Sequence, residues 1–163
     1  MLILFVRFLH VASAMWFIGG ILARQIVRAY AKRTDDVRRF AVMSEAAGRI
    51  ESTMVIPGNL AVILFGVILG VQIGAPILGF LQGAERNWLL VSNILLLIGF
   101  LNVPLIFLPR GKRFQVALED ALARGQMTIE LRAHLNDPLV RLAHGYELVS
   151  MVVIVYLMVV KPF

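Results

Sequence analysis

The sequence predicts an all-α integral membrane protein, an up-down four-helix bundle with an amphipathic cytoplasmic segment between its third and fourth helices. Three observations carry that prediction. Four apolar runs, over residues 2–27, 54–75, 88–108 and 139–160, are each long enough to cross about 30 Å of hydrocarbon as a helix. The chain is 60% hydrophobic and only 16% charged over 163 residues, with a mean hydropathy of +0.83, and a water-soluble domain of that size has too little interior to hide so much apolar surface. Lysine and arginine gather in two of the three connections: seven lie from Arg24 to Arg49 and six from Arg110 to Arg141, whereas the other connection has Arg86 alone. Such asymmetry predicts a single transmembrane domain over 1–163 in a bacterial inner membrane, with both long loops cytoplasmic and both termini outside.

The first run, LILFVRFLHVASAMWFIGGILARQIVR, is broken before Ala23 only by Arg7, His10 and Ser13. Ala12-Ser13-Ala14 imitates a signal-peptide cleavage site. No charged region precedes the run, however, and its hydrophobicity continues past Ala14, so it reads as a retained span. Thr34 with Asp35 and Asp36 reads as the start of the next helix, an oxygen cap with acids near the positive end of the dipole. Val37, Phe40, Ala41, Ala47 and Ile50 then recur at helical spacing and predict an amphipathic helix leading into the second span. Gly66, Gly70 and Gly74, spaced four apart, form a bare face there. In lipid such a face lets another backbone approach closely, so it predicts helix packing against a homo-oligomer partner or another membrane subunit.

Trp88 stands at the edge of the third span as an interfacial anchor, and Asn93 and Asn102 inside it are expected to hydrogen-bond between helices. After Pro104 and Pro109 comes RGKRFQVALEDALARGQMTIELRAHLND, polar yet helical in pattern. Phe114, Leu118, Ala121 and Leu122 share a stripe, Gly125 reads as a C-cap, and the segment is expected to lie flat on the inner surface. Asp137-Pro138 opens the fourth helix as a cap and first-turn pair.

Several chemistries are absent from the outset. With no cysteine, the chain has no disulfide, thiolate metal site or cysteine nucleophile. No phosphate-cradling glycine loop and no nucleophile–base pair occurs. The net charge of +6 is explained by topology, so the expected partner is the lipid bilayer and not nucleic acid.

What remains is a small set of polar groups inside apolar runs, which are functional candidates because lipid makes them costly. His10 begins an H-x5-W-x2-G-G pattern with Trp16, Gly19 and Gly20. It reads either as a cofactor ligand or as a histidine hydrogen-bonded across the bundle, for instance to Asn93 or Asn102. Arg141, His144 and Glu147 step by three along one face, with Tyr146 beside them. A carboxylate one turn from an imidazole can fix its tautomer and raise its basicity, which suits metal ligation or proton transfer; the alternative is an ion pair of Glu147 with Arg141 or Arg24. At ~1.5 Å per residue, His10 lies roughly 12 Å below the outer surface and His144 roughly 8 Å from the inner one. Their depths differ by about 10 Å across a ~30 Å core, so two separate cofactor sites fit as well as one shared haem axis. Met15, Met54, Met151 and Met158 read as core fillers, with no Met-x-x-Met cluster among them.

The opening FLHVASAMWFIGGILA resembles the first helix of the CopD-like copper-resistance membrane proteins and of the HemJ-type protoporphyrinogen oxidases, both marked by a histidine followed by a tryptophan and glycine. The closing VVIVYLMVVKPF is similar to the last helix of the HemJ group and of a bacterial family of predicted four-helix integral membrane proteins of unknown function. Length, helix count and both ends agree with that last family. The resemblance implies haem b with His10 as an iron ligand and Lys161 as the matching lysine. Where the HemJ pattern continues with Leu-Pro-Arg and a tyrosine-histidine pair, this chain has Leu22-Ala23-Arg24 and Tyr30-Ala31. Those departures speak against protoporphyrinogen oxidation and leave haem or quinone contact open. The expected function is a haem-binding protein or an accessory subunit of a membrane redox complex. A copper or metal permease, or a purely structural membrane subunit, is the alternative.

Overall fold

A computed structural model describes residues 1–163 as helices and turns without a β-strand. Four helical rods are long and apolar enough to cross a membrane: Leu2–Ala31, Val37–Gln72, Trp88–Arg124 and Ile129–Val160. The chain divides into two compact units, residues 1–75 and 76–163.

In the first unit α1 (Leu2–Ala31) is followed by α2 (Val37–Ile50) and α3 (Ile56–Gln72). Asp36, rather than Thr34, caps α2: its carboxylate accepts from the Arg38 and Arg39 amides at 2.8 and 3.2 Å, while Thr34 Oγ1 accepts from Asp36 N–H. These two backbone donors, Arg39 first, hold the exposed Asp36 carboxyl below its ordinary value of 3.8. Between α2 and α3 there is no loop. Glu51–Val55 forms a π-helical turn, with Ile56 N–H reaching back five residues to the Glu51 carbonyl. Its cause is Pro57, which has no N–H and crowds the preceding turn; one extra residue per turn absorbs it without breaking the helix.

The second unit repeats the device. In α4 (Trp88–Asn102) and α5 (Leu108–Arg124) the junction is a second π-turn, Val103–Phe107, closed by Leu108 N–H on the Val103 carbonyl. Pro104 lies inside it and Pro109 two residues past its end. α5 continues α4 in one helical segment of 37 residues, with no loop between them. At ~1.5 Å per residue the Val37–Gln72 and Trp88–Arg124 segments each hold about 54–56 Å of helix, well beyond the ~30 Å of hydrocarbon, so a single crossing leaves their arginine-rich halves over. Gly125 ends α5 in the left-handed conformation. Then α6 (Ile129–Leu135), capped by Thr128, packs on α5, and Asp137 caps α7 (Pro138–Val160) by accepting from Leu139 and Val140 N–H.

Burial follows solvent. In the arginine-rich parts, Ala31, Val37, Phe40 and Ala47 of the first unit and Ala117, Leu118, Ala121 and Leu131 of the second are buried as in a water-soluble core. Along the apolar halves, Leu60, Leu64, Leu97 and Val152 are exposed, as lipid-facing side chains are.

Candidate functional site

Every member of the H-x5-W-x2-G-G pattern meets the second span. His10 Nδ1 lies 3.0 Å from the Val62 carbonyl oxygen. A carbonyl can only accept, so Nδ1 carries the proton, and in the neutral ring Nε2 is then the bare nitrogen. The ring sits where Gly66 has no side chain: a methyl there would be 3.0 Å from His10 Cε1. Six residues on, Trp16 Nε1–H donates to the Thr53 carbonyl at 3.3 Å. Thr53 is the residue whose ordinary helical donor, four residues ahead, would be Pro57, and proline has none to give. Gly20 then lets the π-turn come close, since a methyl on it would be 2.7 Å from Met54 Cβ, and Gly58 does the same for the Phe17 backbone at 3.0 Å. One turn further, Arg24, 1% exposed, forms an ion pair with Glu51 at the first residue of the π-turn. The ladder is antiparallel: His10 meets α3 beside Gly66, and Trp16 and Arg24 meet the π-turn before it.

His10 therefore takes a backbone carbonyl as its partner, not the Asn93 or Asn102 amide expected from the sequence. Asn93 Nδ2 donates instead to the Ile77 carbonyl, in the turn before α4. The glycine face is also redrawn. Gly66 receives His10 of the same chain, and Gly70 is buried. Gly74 lies past the end of α3 with φ +63°, where the Ala75 amide closes on the Gly70 carbonyl at 2.9 Å. It ends the helix in the conformation only glycine adopts freely, and so leaves the face.

In the second unit His144 Nδ1 donates to Glu147 Oε2 at 2.8 Å, with both side chains 15% exposed. Phe107, the last residue of the second π-turn, stacks on the imidazole at 4.7 Å between centroids and 25° between planes. One residue before Glu147, Tyr146 O–H donates to the Leu95 carbonyl at 2.8 Å, with Gly99 four residues beyond that acceptor. This is the geometry of His10, Val62 and Gly66 over again: a ring from the partner helix reaches a carbonyl past a glycine. Arg141 is exposed on the same helix, and Arg110 pairs with the cap Asp137 at 2.9 Å. Lys161 ends α7 with a left-handed φ of 52°, its ammonium 5.2 Å above the Trp88 ring.

The arrangement offers two oriented imidazoles, one held by a neutral carbonyl and the other by a carboxylate. No group of three or more His, Cys, Asp or Glu side chains is placed to hold a metal ion. The Arg24–Glu51 pair and Phe107 over His144 went unread in the sequence. Both depend on π-turns, whose only sequence trace is the prolines beside them. Residues 4–162 match the model of a family described as "Predicted integral membrane protein (DUF2269)". No curated protein and no solved structure matches the chain.

Proposed function

Because the chain belongs to this family of predicted integral membrane proteins, its function is to be sought within the bilayer, and there we propose that it binds haem b through His10. One observation carries the proposal: the Val62 carbonyl fixes the His10 tautomer. An imidazole whose Nδ1–H is tied to a backbone carbonyl presents Nε2 as a bare donor in a set orientation, the usual state of a metal-ligating histidine. When bound, haem b supplies one-electron transfer. The chain's part is to hold the imidazole still. Gly66 admits the ring, Val62 orients it, and the Trp16–Thr53 and Arg24–Glu51 links fix α1 against the π-turn that leads into α3. Lipid-facing side chains around the hairpin keep water away, which favours a low dielectric at the iron.

The test is reconstitution in lipid nanodiscs. Protein titrated with haemin should develop a Soret band that saturates at a fixed stoichiometry, and His10→Ala should abolish it while keeping its helical circular dichroism. A wild-type protein that gives no Soret band after haem supplementation removes the proposal. Loss of the band in His144→Ala alone would move the site to the second unit. The permease alternative needs several ligands along one route, and His144 with Glu147 supplies two.

A further inference from the structure

The turn between the second and third spans has a build that spanning does not require. Residues 76–84 close upon themselves: Gly79 N–H bonds the Pro76 carbonyl, Leu81 N–H the Leu78 carbonyl and Gly83 N–H the Phe80 carbonyl, at 3.0–3.2 Å. Side chains take up what the backbone leaves over. Gln82 Oε1 accepts from Leu78 N–H at 2.9 Å, Asn87 Oδ1 from Phe80 N–H at 2.8 Å, and Asn93 Nδ2 donates to the Ile77 carbonyl. Gly79, with φ +56°, sits so close to Asn87 that a methyl on it would be 2.5 Å from Oδ1.

With the amides of residues 78–81, 83 and 84 bonded within the turn and to Asn87, the turn exposes side chains that water does not favour. Phe80 is 63% and Leu81 67% exposed, with Leu78 beside them. Charged and interfacial groups follow this tip: exposed Glu85 and Arg86, then Trp88, with Lys161 stacked on its ring and its amide donating to the Phe163 carbonyl. A self-satisfied backbone is what entry into a lipid interface demands, because unpaired amides are not tolerated there. Exposed aromatic and aliphatic side chains next to an arginine and a lysine stacked on tryptophan match acyl chains next to phosphates.

We propose that residues 76–84 form an interfacial anchor that inserts Phe80 and Leu81 into the acyl-chain boundary of the bilayer, with Lys161 and Arg86 at the phosphate level. The occupant of this apolar tip is thus lipid. In sequence the turn lies between the candidate spans Val37–Gln72 and Trp88–Arg124.

Because the chain has no native cysteine, Phe80→Cys and Leu81→Cys each give a unique labelling site on an exposed side chain, and Glu85→Cys serves as the reference. The full-length protein, spin-labelled at each site in turn, is placed in nanodiscs of phosphatidylcholine with phosphatidylglycerol. Collisions with oxygen, which partitions into lipid, are compared with collisions with a water-soluble nickel chelate. Labels at 80 and 81 should favour oxygen several-fold more than the label at 85. Nickel accessibility at 80 and 81 equal to that at 85 overturns the proposal, because the tip is then in water. Protection from both reagents also overturns it, because a protein surface then covers the tip.

Discussion

Replacing Trp16 with phenylalanine isolates one cross-link of the first hairpin and tests why it exists. The indole N–H reaches the Thr53 carbonyl at 3.3 Å, and that carbonyl lacks its helical donor because residue 57 is proline. A net hydrogen bond is worth about 1 kcal/mol in proteins, and interhelical bonds in membranes average about 0.6 kcal/mol. At 3.3 Å the bond belongs in the lower part of that range. Phenylalanine keeps an aromatic ring on the lipid-facing groove, so Trp16→Phe should cost about 0.6 kcal/mol. In a Pro57→Ala background, residue 57 regains an N–H that can serve Thr53, and the same substitution should then cost about nothing, a coupling of roughly 0.6 kcal/mol. The assay is reversible unfolding of all four proteins in mixed micelles titrated with sodium dodecyl sulfate. An equal cost of Trp16→Phe in both backgrounds would refute the claim that Trp16 substitutes for the donor proline removed.

Three further outcomes follow from the same geometry. Gly58→Ala puts a methyl 3.0 Å from the Phe17 backbone, so α1 and α3 must separate; overpacking of this kind costs about 1–3 kcal/mol, read in the same titration. Arg24→Ala strands Glu51, whose side chain is 33% exposed; with buried pairs losing about 3–5 kcal/mol and exposed ones under about 1, the loss should be about 2 kcal/mol, and Arg24→Ala with Glu51→Gln should recover part of it. Asp36 sits below its ordinary value of 3.8 because backbone amides stabilise the charged form. Its contribution to α2 is therefore complete above pH 3.8 and is lost as pH falls through the lower folded value. Hydrogen exchange of the first α2 turn should rise in that window for the native chain and show no such step in Asp36→Ala.

Much of this fold was legible because lipid imposes simple rules. Twenty-residue apolar runs located the four rods, Asp137-Pro138 and Gly125 marked their ends through cap chemistry, and Val37, Phe40 and Ala47 recurred at the spacing that buries them. The misreadings have a common origin in the backbone. Thr34 and Asp36 both supply a cap oxygen, and only dihedral angles decide between them. Gly74 matched a packing face by spacing but ended the helix by conformation. Prolines 57, 104 and 109 read as span boundaries, yet each π-turn kept its helix running. For the candidate site, His10, His144 and Glu147 stood out because ionisable groups in apolar runs are conspicuous. Their acceptors did not, since a carbonyl such as Val62 or Thr53 has no side-chain signature.

The proposal for His10 depends on which ring nitrogen bears the proton. Nitrogen-15 NMR of histidine-labelled protein in nanodiscs, with His134→Gln and His144→Gln removing the other two imidazoles, reports this directly. The expected result is a protonated Nδ1 and an unprotonated Nε2 in the neutral ring, with the Nε2 signal lost or strongly shifted when haemin is added. A protonated Nε2 with a bare Nδ1 would contradict it, because that tautomer can neither donate to the Val62 carbonyl nor offer iron the nitrogen assigned to it.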